Sequence, residues 1–236
     1  MMQMHVAKPP PIFAVVPVKR LRLAKQRLAP VLSRHERAEL ARTMLHDVLT
    51  TLCATPEVSG TVVVTADPEI TRLATLFDAQ VVEDTAEAGV NAAVLLGLQS
   101  LDPACAAMVI PADVPFATAA DMHAVIGELA RCPIVLAPAL ADLGTNALAM
   151  RRPDLIAPAF GEGSFVTHQQ RSREAGIACA VVRTEGLGRD IDCPNDLLDR
   201  TEVRKSSLTA ALLADLNIAG RLGMTGPALS TTVSAR

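Results

Sequence analysis

Met108-Val109-Ile110-Pro111-Ala112-Asp113-Val114-Pro115 is an apolar run with strand preference that breaks off at a lone carboxylate flanked by prolines. A continuous apolar run of this kind suits a strand buried on both faces, as in a parallel sheet covered by helices. In an open α/β sheet, ligands bind beyond the carboxyl ends of the strands. An Asp at that end faces a crevice, whereas in a core its unpaired charge would be very costly. The stretch therefore predicts an α/β protein with a strand that ends at Asp113 and a site just past it.

The flanking sequence repeats the theme. Ile12-Phe13-Ala14-Val15-Val16 is a second continuous apolar run, followed by a basic loop. Ser33 and Glu36 form an S-x-x-E capping box that opens a helix to about Leu52, with Ala38, Ala41, Leu45, Val48 and Leu52 at helical spacing. Residues 61–65 read as the next strand, and Asp67-Pro68 as the cap and first residue of another helix. Residues 80–83 read as a strand and 91–101 as a helix. Behind Asp113, residues 118–130 read as a helix, and 134–137 and 146–150 as strands. A helix over 164–175 stops at Gly176, and 177–182 reads as a strand. This alternation predicts a mainly parallel, mixed sheet with helices on both faces. One such domain is expected over residues 12–200. Residues 1–11, with Pro9-Pro10-Pro11, read as an extended lead-in. Residues 201–236 read as a C-terminal extension, with a helix over 210–219 and a disordered Ser/Thr/Gly-rich stretch from Thr225.

Half of the 236 residues are hydrophobic, enough for a full core, and the net charge is −3. That charge, with no Trp and no Tyr for base stacking, argues against a nucleic-acid partner. The five cysteines include no C-x-x-C pair and read as reduced structural thiols. No apolar run approaches the ~20 residues of a membrane span. A cytoplasmic protein with no membrane partner is expected.

Three charged clusters carry the chemistry. Lys19, Arg20, Arg22, Lys25 and Arg27 crowd the loop that leaves the first strand. They could neutralise a triphosphate or form a solvated basic face; the location favours phosphate, although the Walker pattern is absent. Asp113 is the second cluster, with a helix-cap role as its alternative. The third is Arg189-Asp190-Ile191-Asp192. In extended backbone, Asp190 and Asp192 would point the same way, and a hard divalent cation would relieve their repulsion. Arg189 could instead neutralise one of them.

Several segments occur in a telling order: Pro17-Val18-Lys19 with Ala24-Lys25-Gln26-Arg27-Leu28, Gly89-Val90-Asn91-Ala92-Ala93, the Asp113 stretch, Gly144-Thr145-Asn146, Gly161-Glu162-Gly163-Ser164-Phe165 and Arg189 to Asp192. Together, over about residues 12–199, this resembles the guanylyltransferases of coenzyme F420 biosynthesis. The resemblance implies a GT-A-like, Rossmann-like nucleotidyltransferase fold, Mg2+ dependence and often a homodimer. By motif match it implies Asp113, Asp190 and Asp192 as metal ligands and catalytic residues, with Lys25. Thr145, Gly161 and Ser164 would hold the acceptor's phosphate and carboxylate. Lys19, Lys25 and Arg27 would meet the triphosphate, and Asn91 would contribute to nucleotide binding. Val90 departs from the usual Leu, and a basic segment stands where sugar-nucleotide pyrophosphorylases carry a Gly-rich GxGxR loop.

The implied reaction joins GMP from GTP to the phosphate of a small phosphorylated carboxylic acid and releases pyrophosphate. The family uses 2-phospho-L-lactate, phosphoenolpyruvate or 3-phospho-D-glycerate. Ser164, Thr167, His168 and Gln169 could satisfy the extra hydroxyl of 3-phospho-D-glycerate, which tips the expectation to that acid. Competing readings are another GT-A enzyme, such as a cytidylyltransferase or a molybdopterin guanylyltransferase, and a nucleotide-binding regulator without turnover.

Overall fold

The computed structural model describes residues 10–198 and 207–222. Seven strands form one sheet in the order β3-β2-β1-β4-β6-β5-β7. They are β1 (Ile12–Pro17), β2 (Val58–Thr65), β3 (Gln80–Glu83), β4 (Ala106–Val109), β5 (Ile134–Pro138), β6 (Thr145–Met150) and β7 (Cys179–Val181). Only β6 runs against its neighbours, β4 and β5; the other pairs are parallel. The α/β class and the mixed, mainly parallel sheet follow the sequence reading.

Alternation along the strands divides the core. Ala14, Val16, Val63, Met108 and Ile110 face one layer, where helices α1 (Arg34–Cys53), α2 (Pro68–Leu76) and α4 (Ala119–Leu129) lie. Val15, Val62, Val64, Ala107 and Val109 face the other, where α3 (Val90–Gln99) and α5 (Ser164–Glu174) lie. Every side chain of β4 is buried, as a strand covered on both faces requires.

Local signals set the helix boundaries well. The Ser33–Glu36 capping box forms in both directions, and the Asp67 carboxylate accepts from the Glu69 N–H ahead of Pro68. A second capping box, Thr118 with Asp121, opens α4. Two expectations need correction. The strand before Asp113 stops at Val109, although the Ile110 N–H still donates to the Val15 carbonyl at 3.0 Å. Asp113 therefore sits in a turn, not at the strand's last position. The single C-terminal helix expected over 210–219 is two helices, α6 (Leu208–Asp215) and α7 (Ile218–Arg221), broken at Asn217 with φ +47°. The basic loop holds two short 3-10 turns, Leu21–Leu23 and Gln26–Leu28. The expected proline-rich lead-in, apart from Pro10 and Pro11, and the expected disordered tail lie outside the described residues.

The third apolar cluster joins Leu28, Leu32, Leu40, Met44, Phe116, Ile191, Leu197 and Ile218. It ties the basic loop, α1, the Asp190–Asp192 segment and the C-terminal helices into one packed unit. The sheet's direction of travel reverses between β1 and β4: β1 leads through α1 to β2 on one side, and β4 lies on the other. This reversal opens a crevice at the carboxyl ends of two adjacent strands.

Candidate active site

Two loops enter that crevice from opposite sides. The loop after β1 is anchored by Asp67, whose carboxylate accepts from the Leu21 N–H at 2.8 Å. It then turns through Lys25 at φ 50°, ψ 45°, a left-handed conformation that costs a non-glycine residue energy. The turn aims the Lys25 ammonium across the crevice to Asp113 Oδ2 at 2.7 Å and to Asp192 Oδ1 at 3.4 Å. The side chain is only 9% exposed. Burial alone would push the Lys25 pKa down, but the charges and hydrogen bonds of Asp113 and Asp192 outweigh it and hold the group above the ordinary lysine value.

The acidic segment after β7 arrives by a backbone bond, the Ile191 N–H donating to the Asp113 carbonyl at 3.0 Å. This bond seats Ile191 in the core and sends its two Asp neighbours to different partners. Asp192 meets Arg27 at 2.7 Å as well as Lys25. Asp190 accepts from the Asn146 side-chain amide at 3.0 Å, and the same amide nitrogen donates to the Leu187 carbonyl at 2.8 Å. Burial raises the Asp190 pKa, and the nearby Asp113 charge raises it further against the opposing Asn146 hydrogen bond. Arg189 reaches Glu185 at 3.0 Å.

The expected three-carboxylate cage is therefore not assembled. Among the described residues no group of three or more His, Cys, Asp or Glu side chains is gathered as a metal cage requires. Asp190 and Asp192 are instead engaged by different partners, Asn146 for the first and Lys25 with Arg27 for the second. What remains is the pair Asp113 and Asp190, two hard oxygen donors whose repulsion raises the Asp190 pKa, and Asp190 lines a cleft with Phe116, Leu140, Ile191 and Asp196. A hard cation that takes one or two carboxylates and completes its shell with phosphate oxygens fits such a pair.

Other expected residues fall in distinct places. Lys19 is exposed on the loop after β1. Arg20 pairs with Glu87 at 2.8 Å, which ties that loop to the approach of α3. Asn91, the second residue of α3, is tied to the protein's own backbone. Its amide donates to the Phe160 carbonyl at 3.0 Å and accepts from the Phe160 N–H at 2.6 Å. Both ends of the side chain serve the backbone of another loop. Gly161 adopts φ +131°, a conformation open to glycine, and its carbonyl accepts from the Ser164 N–H at 3.1 Å. Thr145, the first residue of β6, and Ser164, the first of α5, meet at 3.1 Å through their hydroxyls, both buried.

Sequence reasoning gave no role to Asn146 or Asp196, and it offered His168 as a contact to the acceptor. Asp196 accepts from the Asp192 and Cys193 N–H groups at 2.8 and 2.6 Å and fixes the turn that carries Asp192. His168 is wholly buried. Its spacing of four from Ser164 was the available signal, since residues four apart share a helix face.

The chain matches the family described as "Guanylyl transferase CofC like" over residues 12–219. It belongs to this family. A phosphoenolpyruvate guanylyltransferase of Sphaerobacter thermophilus is 40% identical over 186 residues, covering 78% of this chain and 89% of that one. A 3-phospho-D-glycerate guanylyltransferase of Phenylobacterium zucineum is 36% identical over 200 residues, covering 82% and 91%. In fold, the chain is similar to a protein from Desulfovibrio desulfuricans G20 assigned as a nucleotide-diphospho-sugar transferase, with TM-score 0.71, 16% identity and coverage of 90% and 97%. The chain is thus a CofC-like guanylyltransferase with the nucleotide-diphospho-sugar transferase fold. In this CofC-like chain, no helix among the described residues is long and apolar enough to cross a membrane.

Proposed function

We propose that this protein transfers GMP from GTP to the phosphate of a phosphorylated three-carbon acid, releasing pyrophosphate, as a step of coenzyme F420 biosynthesis. The observation that carries the reading is the convergence at the β1–β4 crevice. Cations from the loop after β1 meet carboxylates from two later loops, in a chain of this family.

The chemistry needs no general base. A phosphate monoester has a second pKa of about 6, so the attacking oxygen is already ionised at neutral pH. The obstacle is the approach of two highly charged anions. Lys19, Arg27 and the Lys25 ammonium supply positive charge on one wall of the crevice, where the triphosphate would lie. Thr145, Ser164 and the Gly161 turn would hold the acceptor opposite, and fixed geometry supplies the in-line approach. Asp113 and Asp190 would hold Mg2+, which when bound would neutralise charge on the phosphates.

Two of the four groups offered to the hydroxyl of 3-phospho-D-glycerate, His168 and Thr167, are engaged with the protein itself. Both ring nitrogens of His168 have protein partners, and the Thr167 hydroxyl donates to the Gly163 carbonyl at 3.3 Å. This weighs against the earlier expectation and toward an acid without a free hydroxyl. Phosphoenolpyruvate comes first, the acid named for the Sphaerobacter relative.

A competition assay tests the reading. Purified protein, GTP and MgCl2 are incubated with all three acids, and pyrophosphate and guanylylated products are measured. Pyrophosphate should appear only when an acid is present, with phosphoenolpyruvate or phospholactate consumed ahead of phosphoglycerate. EDTA should stop turnover and excess Mg2+ should restore it. No product with any acid would overturn the function, and a strong phosphoglycerate preference would overturn the specificity.

A further inference from the structure

Behind the proposed acceptor groups lies a histidine that the reaction does not use. His168 is wholly buried and packs edge-on against Phe160, with ring centroids 5.2 Å apart. The Ala159 N–H donates to its Nε2 at 2.9 Å, so that nitrogen presents a lone pair and carries no proton. Burial, reinforced by the nearby Arg171 charge, pushes the His168 pKa down to about 4. At neutral pH the ring is uncharged, and its one proton is on Nδ1.

That proton has one destination, Thr145 Oγ1 at 3.0 Å. The Ser164 hydroxyl donates to the same oxygen at 3.1 Å. A hydroxyl oxygen has two lone pairs and one proton, and two donors occupy both pairs. Among the described residues no protein acceptor takes the remaining Thr145 proton. Thr145 can therefore only donate.

We propose that His168 is a positioning residue that makes Thr145 a one-way hydrogen-bond donor, so that the acceptor subsite selects an oxyanion over a hydroxyl. The inference rests on the reading of Thr145 and Ser164 as acceptor contacts. An oxyanion placed at Thr145 receives a charge-assisted hydrogen bond. A ligand hydroxyl there would find no lone pair for its own proton. Phosphate and carboxylate oxygens of the acid meet the first condition, and the free hydroxyl of a glycerate does not.

Two amide variants separate the ring's two functions. In His168→Asn the side-chain nitrogen stands near the position of Nδ1 and can still donate to Thr145. In His168→Gln the side-chain oxygen stands near Nε2 and can accept from Ala159, but the donation to Thr145 is lost. The Gln variant should raise KM for the acid by about tenfold or more, leaving KM for GTP within about twofold. The Asn variant should largely restore the acid KM. An equal change in both variants, or one confined to GTP, overturns the proposal. Ring 15N shifts of the wild-type protein, assigned by their loss in the Gln variant, give a second readout that needs no substrate. A neutral Nδ1–H tautomer should persist between about pH 5.5 and 8; an Nε2–H tautomer or an ordinary histidine titration in that range overturns the proposal. A correct tautomer in a protein that releases no pyrophosphate would instead count against the function.

Discussion

Asp113 and Asp190 face the same crevice, yet their carboxylates stand in opposite electrostatic situations. Asp113 is the nearer partner of the buried Lys25 ammonium, at 2.7 Å. Asp190 carries a charge that burial and Asp113 both disfavour. Asp190→Asn keeps an oxygen to accept from Asn146 and removes the repulsion. It should raise the melting temperature, by about 2–4 °C for each kcal/mol relieved, while turnover falls about 100-fold or more. Asp113→Asn should also lose turnover, but it leaves Lys25 with only the longer Asp192 contact and should cost about 1–2 kcal/mol of stability. Thermal melts beside pyrophosphate assays separate the two, and equal shifts in melting temperature would remove the distinction. His168 adds a pH dependence. Its folded pKa of about 4 lies below the ordinary 6.5, so the unfolded chain binds the proton first. The resulting stability is present in full above about pH 6.5 and declines as pH falls toward 4, by at most roughly 3 kcal/mol. The urea midpoint of the wild type should fall more steeply through that window than that of His168→Gln, and parallel curves would contradict it.

At the scale of elements, the close approach of α3 to the sheet positions the Gly89 turn beside the crevice. Gly97 makes that approach possible. A Cβ there would stand 2.8 Å from Val64 Cγ2 and closer still to Val15 Cγ1. Gly97→Ala improves intrinsic helix propensity by up to about 1 kcal/mol, but it wedges a methyl between a helix and two buried β-branched residues. Overpacking of this kind costs about 1–3 kcal/mol, so the net effect should be a lower urea midpoint; an unchanged or raised midpoint would show that α3 can lift freely. The same scale shows which information was local. The Ser33–Glu36 box and Asp67-Pro68 were readable because cap and helix are a few residues apart. Continuous apolar runs marked β1, β2 and β4 because both faces of those strands are covered. The fates of Asp190 and Asp192 were not readable. They depend on one backbone bond from Ile191 to Asp113, seventy-eight residues away in sequence by subtraction of 113 from 191. The side-chain partner of Asn91 was hidden for a similar reason, because it is the backbone of Phe160. His168 stood in a polar helix whose buried face, Ser164, Phe165, His168 and Ser172, is lined mostly by polar side chains, so hydrophobic periodicity could not reveal it.

For the whole molecule, the C-terminal helices and the β1–β4 crevice share one apolar cluster. Ile218 packs with Leu28 of the basic loop, Phe116 beyond Asp113, and Ile191 between the two later Asp residues. Polar contacts fasten the same helices: the buried Asp47 on α1 accepts from the Leu208 and Thr209 N–H groups at 3.1 and 2.8 Å, and Arg221 meets Glu36 at 2.7 Å. The family match also runs through α6 into α7. Ending the chain after Leu222 keeps all of these contacts and should leave both melting temperature and pyrophosphate release unchanged. Ending it after Leu198 removes the helices, uncovers Leu28, Leu40 and Met44, and leaves Asp47 without the two N–H groups that solvate its charge. Lost apolar burial and an uncompensated carboxylate together predict a fall of about 10 °C or more in melting temperature. Turnover should fall more than stability alone explains when assayed well below the lowered transition, because Ile191 loses its backing and no longer holds Asp192 against Lys25 and Asp190 beside Asn146. A shorter chain that melts lower but turns over at the wild-type rate would assign the C-terminal helices to stability and leave the crevice self-supporting.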